Sequence, residues 1–395
     1  MNSSEDISNN ESSQKISVII IPALLSASTL LVVVIILWKT YHKKREKGGG
    51  SEDRTADYVD GTWAVNAAAV YENFPGISDA ILEKKQLPSD WRIEDKVVLC
   101  SGHYGPISRA VLLRSGEAED RRDVILKELS EHCSPGEVQD FVDLMKFYVQ
   151  VCVHDKLVKM LWCQAQSRPL SLILEAMTLG NLLTFLRDSH QEARATQETV
   201  YRITEKDVCS MAAQVASGLE YLTGTHNLVH GYVAACNVLI HEDMSVRLCG
   251  LGLAAIQYRT GSVAAQRAAR VPLKWQSPER LRGADITEKS DVWSFGILLY
   301  ELITAGSPPY PALDPADVPQ KLQKKYRMEQ PQRCGDQLYQ VMMDCWQWEA
   351  QKRPFLSDVV KQLQKALDTA DGHTALTAVD TLSWGEYLLV AGISL

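Results

Sequence analysis

Asp291-Val292-Trp293-Ser294-Phe295-Gly296 lies in a largely apolar run, Ser290–Thr304, that reads as a helix. A second helix-like run, Val208–Leu222, precedes it, and the chain is continuously globular from about Trp91 to Leu367. Strand-like runs crowd the first third of that stretch, at Lys96–Leu99, Ala110–Leu113, Val124–Leu126 and Leu170–Leu174. A β-rich piece followed by a larger α-rich one is an α+β arrangement in two lobes, assigned here to residues 90–368. Arg187 to Asp207, charged and set between two helical stretches, is expected to be a surface loop.

The chain has 395 residues, and its net charge of −8 is moderate and spread out, so no nucleic-acid partner is expected. All nine cysteines lie between Cys100 and Cys345, with no CxxC pair and no histidines at zinc spacing. They read as reduced, buried thiols of a cytosolic domain. Ile16–Trp38 carries no charged residue and is long enough for a helix to cross a membrane. Lys39, Lys43, Lys44, Arg45 and Lys47 follow it, whereas Glu5, Asp6 and Glu11 precede it. The expected topology is a short outer head (1–15), a single span (16–38) and a cytoplasmic remainder. Asn2 and Asn10 open Asn-x-Ser sequons in that head.

Residues 39–89 read as a basic juxtamembrane segment and a flexible linker, beginning its polar part at Gly48-Gly49-Gly50-Ser51. Tyr58 and Tyr71 sit there in acidic surroundings and could, once phosphorylated, dock an arginine-lined adaptor pocket. Residues 369–395 form a tail in which Tyr387 is a further docking candidate.

Five motifs then fall in one order. His230-Gly231-Tyr232-Val233-Ala234-Ala235-Cys236-Asn237 has the shape of a kinase catalytic loop, and Leu248–Ala254 that of the segment after it. Val271–Trp275, Ser277-Pro278-Glu279 and the Asp291 hexapeptide follow, with Arg353-Pro354 supplying an arginine for Glu279. The region resembles the protein kinase superfamily, of the tyrosine-kinase type, and so implies the two-lobed protein-kinase fold. With its membrane span the chain resembles the single-span serine/threonine/tyrosine kinase-like family, called novel oncogene with kinase domain. The resemblance implies structural roles for Glu279, Asp291 and Arg353, and ATP contacts at Gly102, Gly105, Ile107, Lys127 and the hinge around Glu175.

The chemistry departs from that family. Tyr232 stands at the catalytic aspartate, and a phenol with a pKa near about 10 accepts no proton at neutral pH. Gly250 replaces the magnesium aspartate, leaving Asn237 as the weak remaining metal contact. Leu144 occupies the place of the glutamate that would pair with Lys127, with Asp143 beside it. Gly231 and Cys236 replace two arginines, and Ala254–Arg270, read as the activation loop, has only Tyr258 as a candidate tyrosine phosphosite. Loss of the base alone costs roughly 10²–10⁴ in rate.

The expectation is a membrane-anchored pseudokinase, a scaffold or allosteric partner for cytosolic signalling proteins or other kinases, with ATP as a candidate ligand and magnesium disfavoured. The alternatives are an atypical active tyrosine kinase and a phosphotyrosine docking platform.

Overall fold

The computed structural model describes residues 79–393, apart from 117–119, 197–200, 263–270, 378–379 and 381. The expected span, the outer head, Asn2, Asn10, Tyr58 and Tyr71 lie outside the described residues. Among the described residues no helix is long and apolar enough to cross a membrane.

The small lobe is a five-stranded antiparallel sheet of order β1-β2-β3-β5-β4. Its strands are β1 (Trp91–Ser101), β2 (Pro106–Arg114), β3 (Arg121–Glu128), β4 (Met160–Gln164) and β5 (Ser171–Glu175). The two-residue period of β3 buries Val124, Leu126 and Glu128 on one face and turns Lys127 to the other. Two helices complete this lobe, α1 (Ala80–Glu83) and, between β3 and β4, α2 (Pro135–Gln150). A capping box between Ser134 and Glu137, with Pro135 in the first turn, starts α2, and Phe141, Met145 and Tyr148 bury its inner stripe.

The last part of the expected linker is not a tether. Asp79 caps α1, Leu82 is fully buried, and the Asp79 carboxylate pairs with Lys146 of α2 at 2.8 Å. A buried leucine and an ion pair outweigh the polar composition that suggested flexibility.

The large lobe is helical: α3 (Leu182–Thr196), α4 (Glu205–His226), α5 (Gly252–Thr260), α6 (Pro278–Leu281), α7 (Glu288–Ile303), α8 (Val318–Gln323), α9 (Asp336–Cys345), α10 (Leu356–Thr369) and α11 (Trp384–Ala391). A hairpin of β6 (Val238–Ile240) and β7 (Val246–Leu248) follows α4. In α7, 13 of 16 residues are buried, as befits a helix apolar on nearly all sides. A Cβ on Gly296 would meet Trp346 Nε1 at 2.6 Å, so glycine is what lets that indole lie against the helix.

Three expectations change. Arg187 does not sit in a surface loop: α3 runs to Thr196, and the Arg187 guanidinium is buried, donating to the Gly306 and Leu382 carbonyls at 3.1 and 2.5 Å. The nine thiols are all free, but Cys100 is exposed and Cys133, Cys236 and Cys249 are half-buried. Tyr387 is no exposed docking residue, since its ring is fully buried.

Candidate functional site: the interlobe cleft

Lys127, on the cleft face of β3, lines a cavity of about 430 Å³ with Gly102, Gly105, Ile107, Tyr232, Asn237 and Gly250. The cleft thus gathers the glycine lid, Lys127 and the loops that carry Tyr232 and Gly250. Glu175 does not belong to it. Its carboxylate turns away to accept from the Lys159 N–H at 2.8 Å and to face Arg247 at 3.5 Å.

Lys127 has no carboxylate within ion-pair distance among the described residues. Leu144 stands in the cleft where a partner is needed, and the nearby acids are engaged elsewhere. Glu128 pairs with Lys96 at 2.5 Å, Asp140 with Arg259, and Asp143 accepts from Gln139 at 3.1 Å.

The lid is folded onto the end of β3. The Gly102 N–H donates to the Gly105 carbonyl at 2.7 Å, and Ser130 N–H to the Tyr104 carbonyl at 2.8 Å. At Gly105, φ is +150° and a Cβ would lie 2.5 Å from the Glu128 carbonyl oxygen, an approach only glycine permits. An N–H that would serve a phosphate is therefore engaged within the lid itself.

The catalytic-loop backbone is held by buried polar groups. Asp291 accepts from the His230 and Gly231 N–H groups at 2.7 and 2.8 Å. Burial pushes its carboxyl up to about 7, against the pull of those two donors. Burial likewise lowers His230 to about 4, so its ring is neutral at physiological pH. Its Nε2 lies 2.7 Å from the Cys249 carbonyl and its Nδ1 3.2 Å from the Tyr232 N–H. A carbonyl accepts only, so the proton is on Nε2 and Nδ1 is the acceptor. Glu279 and Arg353 form a two-pronged pair at 2.6 and 2.8 Å under the large lobe.

Tyr232 offers no base. Its ring stands edge-on to Trp275 with centroids 6.2 Å apart, and burial drives its phenol far above the ordinary range. The Cys236 thiol reaches the phenol oxygen at 3.7 Å. Where a metal would sit, the donor set does not fit one. The Asn237 amide nitrogen donates to the Tyr232 carbonyl at 2.9 Å, and position 250 has no side chain. A single amide oxygen does not meet the oxygen-rich shell that magnesium requires.

The segment expected as the activation loop begins as a helix. In α5, Leu253-Ala254-Ala255-Ile256 supply helix-forming apolar residues, and Ala254 and Ala255 are buried. The helix is fastened to α2 by the Arg259–Asp140 pair, by a hydrogen bond from Tyr258 to Gln150, and by the Tyr258 ring edge-on to Phe147 at 5.6 Å. Leu253 fills the space beside Gly231, where φ is +83° and a Cβ would approach Leu253 Cδ1 to 2.7 Å. A side chain there would strain the backbone and require the Leu253 side chain to turn aside. Tyr258 is thus half-exposed and occupied in this helix.

Sequence reasoning missed one residue of the cleft, Arg259, and misplaced Tyr387, which it read as an exposed docking residue. Arg259 had no local signal; the burial of Tyr387 did, because Ser383-Trp384-Gly385-Glu386 is a capping-box pattern before an apolar run.

The model of the family described as protein tyrosine and serine/threonine kinase matches residues 93–363. Tyrosine-protein kinase STYK1 of Homo sapiens is 38% identical over 322 residues, 82% of this chain and 75% of the human one. The protein of that name from Mus musculus is 35% identical over 322 residues, 82% of this chain and 75% of its own length. Tyrosine-protein kinase Abl of Drosophila melanogaster is 35% identical over 282 residues, 70% of this chain but 16% of its own length.

Proposed function

We propose, for a chain that belongs to the protein tyrosine and serine/threonine kinase family, that it works as a pseudokinase: a scaffold or allosteric partner for cytosolic signalling proteins, without phosphoryl transfer of its own. The observation that carries this reading is the joint loss of acids at Leu144, Tyr232 and Gly250 around an unpaired Lys127 in one cleft. Phosphoryl transfer rests on positioning and charge neutralisation, and each of those positions normally supplies one part of it. The scaffold contacts of Asp291, Glu279 and Arg353 are kept, so the fold persists while the reaction does not.

Lys127 and the lid could still receive the phosphates of ATP, without magnesium, once the Gly102–Gly105 bond opens. The apolar span 16–38, with its flanking charges, supports anchorage to a membrane with the kinase-like domain on the cytoplasmic side.

The deciding experiment is phosphotransfer by the purified full-length protein with Mg-ATP and a tyrosine peptide, against Lys127→Ala. Equal, background-level signals are expected. Activity clearly above the control would reject this reading in favour of an active tyrosine kinase, the activity that the names of the relatives carry. A parallel thermal-shift titration with ATP, with and without magnesium, reads nucleotide binding independently.

A further inference from the structure

Lys127 stands in an apolar setting with its charge unmatched. In the sheet it is registered against Ile107 of β2 on one side and Leu172 of β5 on the other, and its side chain lines the cleft cavity of about 430 Å³. That volume lies within the range of small-molecule sites. The walls are largely apolar or aromatic: Tyr104 of the lid, Ile107 of β2, Phe141 and Leu144 of α2, and Leu253 and Ile256 of α5. Ring contacts join these walls, Tyr104 lying edge-on to Phe141 at 5.5 Å and Tyr258 of α5 edge-on to Phe147 of α2 at 5.6 Å.

The charges decide what such a cavity takes. One lysine and one arginine line it, and Arg259 is paired with Asp140, so Lys127 alone is left without a carboxylate among the described residues. Of the acids that line it, Glu128 is paired with Lys96 and Asp140 with Arg259, while Asp143 accepts from Gln139 one turn back on α2. Acids at positions 144, 232 and 250 would repel an anion unless a cation offset them; leucine, tyrosine and glycine do not. A chain of phosphates asks for several converging donors, yet the Gly102 N–H is engaged with the Gly105 carbonyl. A single carboxylate asks for less: one ammonium to pair with, and apolar walls for the body it carries.

We infer that the cleft binds a small amphipathic monocarboxylate, its head paired with Lys127 and its aliphatic or aromatic body lying among the apolar side chains of the lid, α2 and α5. This rests on the scaffold reading above and deepens it. The cleft holds a regulatory ligand instead of a substrate, and a ligand touching both α2 and α5 favours the arrangement in which the two are fastened. Magnesium-free ATP needs the same lysine, so the two ligands compete.

Protection of Lys127 reads the binding. Full-length protein in phosphatidylcholine nanodiscs is treated with sulfo-N-hydroxysuccinimide acetate in the presence of hexanoate, octanoate or decanoate, and each lysine is quantified by peptide mass spectrometry. Decanoate at about ten times its half-protecting concentration should slow acetylation of Lys127 about tenfold. Exposed Lys352 and Lys361 should be unaffected. The half-protecting concentration should fall about fourfold for each added methylene. Decanol, lacking the charge, should protect about tenfold less well or worse. Leu144→Glu, which supplies Lys127 with an internal carboxylate, should slow acetylation without ligand and abolish the response to decanoate, whereas Leu144→Met should behave as the wild type. Acetylation of Lys274, which is fully buried, would mark a variant as unfolded, and the wild-type series then decides alone. No protection of Lys127 by any of the three acids would overturn the proposal. So would equal protection by decanol and decanoate, or protection by magnesium-free ATP and not by decanoate. Phosphotransfer above the Lys127→Ala control would overturn the scaffold reading and leave this protection measurable.

Discussion

A Cβ on Gly250 would lie 2.5 Å from Asn237 Oδ1. The Asn237 side chain thus occupies the space that a side chain at position 250 would need. Asn237 is held there by its bond to the Tyr232 carbonyl, and Gly250 has φ +75°. Gly250→Asp is therefore expected to destabilise the fold by about 1–3 kcal/mol and to add no phosphotransfer, because Asn237 must first be displaced. Urea unfolding with a parallel Mg-ATP assay checks both. A stable, newly active variant would contradict the steric account.

Glu301 should give a pH signature. Burial raises its carboxyl from the ordinary 4.5 to about 7, the donors Trp275 and Ala235 pulling the other way. Between those values the folded state keeps a proton that the unfolded chain releases. The stability this contributes is complete below pH 4.5 and is lost as pH rises through 7. Relative to Glu301→Gln, the wild type should then lose on the order of 3 kcal/mol across that window. Taking the difference between the two proteins removes the opposing contribution of His230, whose lowered pKa favours stability as pH rises. A flat difference in chemical denaturation would dismiss the assignment.

Arg353→Ala should be among the most damaging single changes in the large lobe. The guanidinium satisfies both oxygens of Glu279, donates to the Gln347 and Lys289 carbonyls, and lies 5.1 Å from the Trp293 ring. Removing it leaves a largely buried carboxylate alone, at a cost of about 3–5 kcal/mol. Arg353→Lys should rescue only part of that, since an ammonium lacks the planar fork. The shift in urea midpoint measures each, and full rescue by lysine would show that charge alone matters.

Arg259→Ala should separate local from global stability. The Arg259–Asp140 pair is about one-third exposed on each side, so its loss should cost no more than about 1 kcal/mol overall. The visible effect should be faster amide exchange across Gly252–Thr260, the helix that the pair fastens to α2. Unchanged exchange there would mean that Tyr258 and the buried alanines hold α5 without it.

The lobes were legible because their signals are local and repeated. Period-two runs such as Val124–Leu126 became strands, and the apolar run at Ser290–Thr304 became the buried core helix α7. Tyr232 and Gly250 were equally plain, since both sit in ordered motifs, whereas Leu144 lies within helix α2. What escaped depended on contacts distant in sequence. Arg187 looked like part of a charged loop because its partners, Gly306 and Leu382, lie more than a hundred residues away. The helix of Gly252–Thr260 was hidden by the family pattern, which expects a loop, although its alanines favour a helix. The hinge around Glu175 was implied by the family resemblance, and the side chain of Glu175 turns instead toward Lys159 and Arg247.

The short helix α1 carries a mechanical implication. Through the Asp79–Lys146 pair and the buried Leu82, the chain entering the small lobe is gripped by α2 before it reaches β1. A pull on whatever precedes Asp79 is thus delivered first to α2, which also holds α5 through Asp140 and Gln150, the latter one turn along the same face from Lys146. The chain's entry point and the helix that lines the cleft are thus fastened to the same helix, α2.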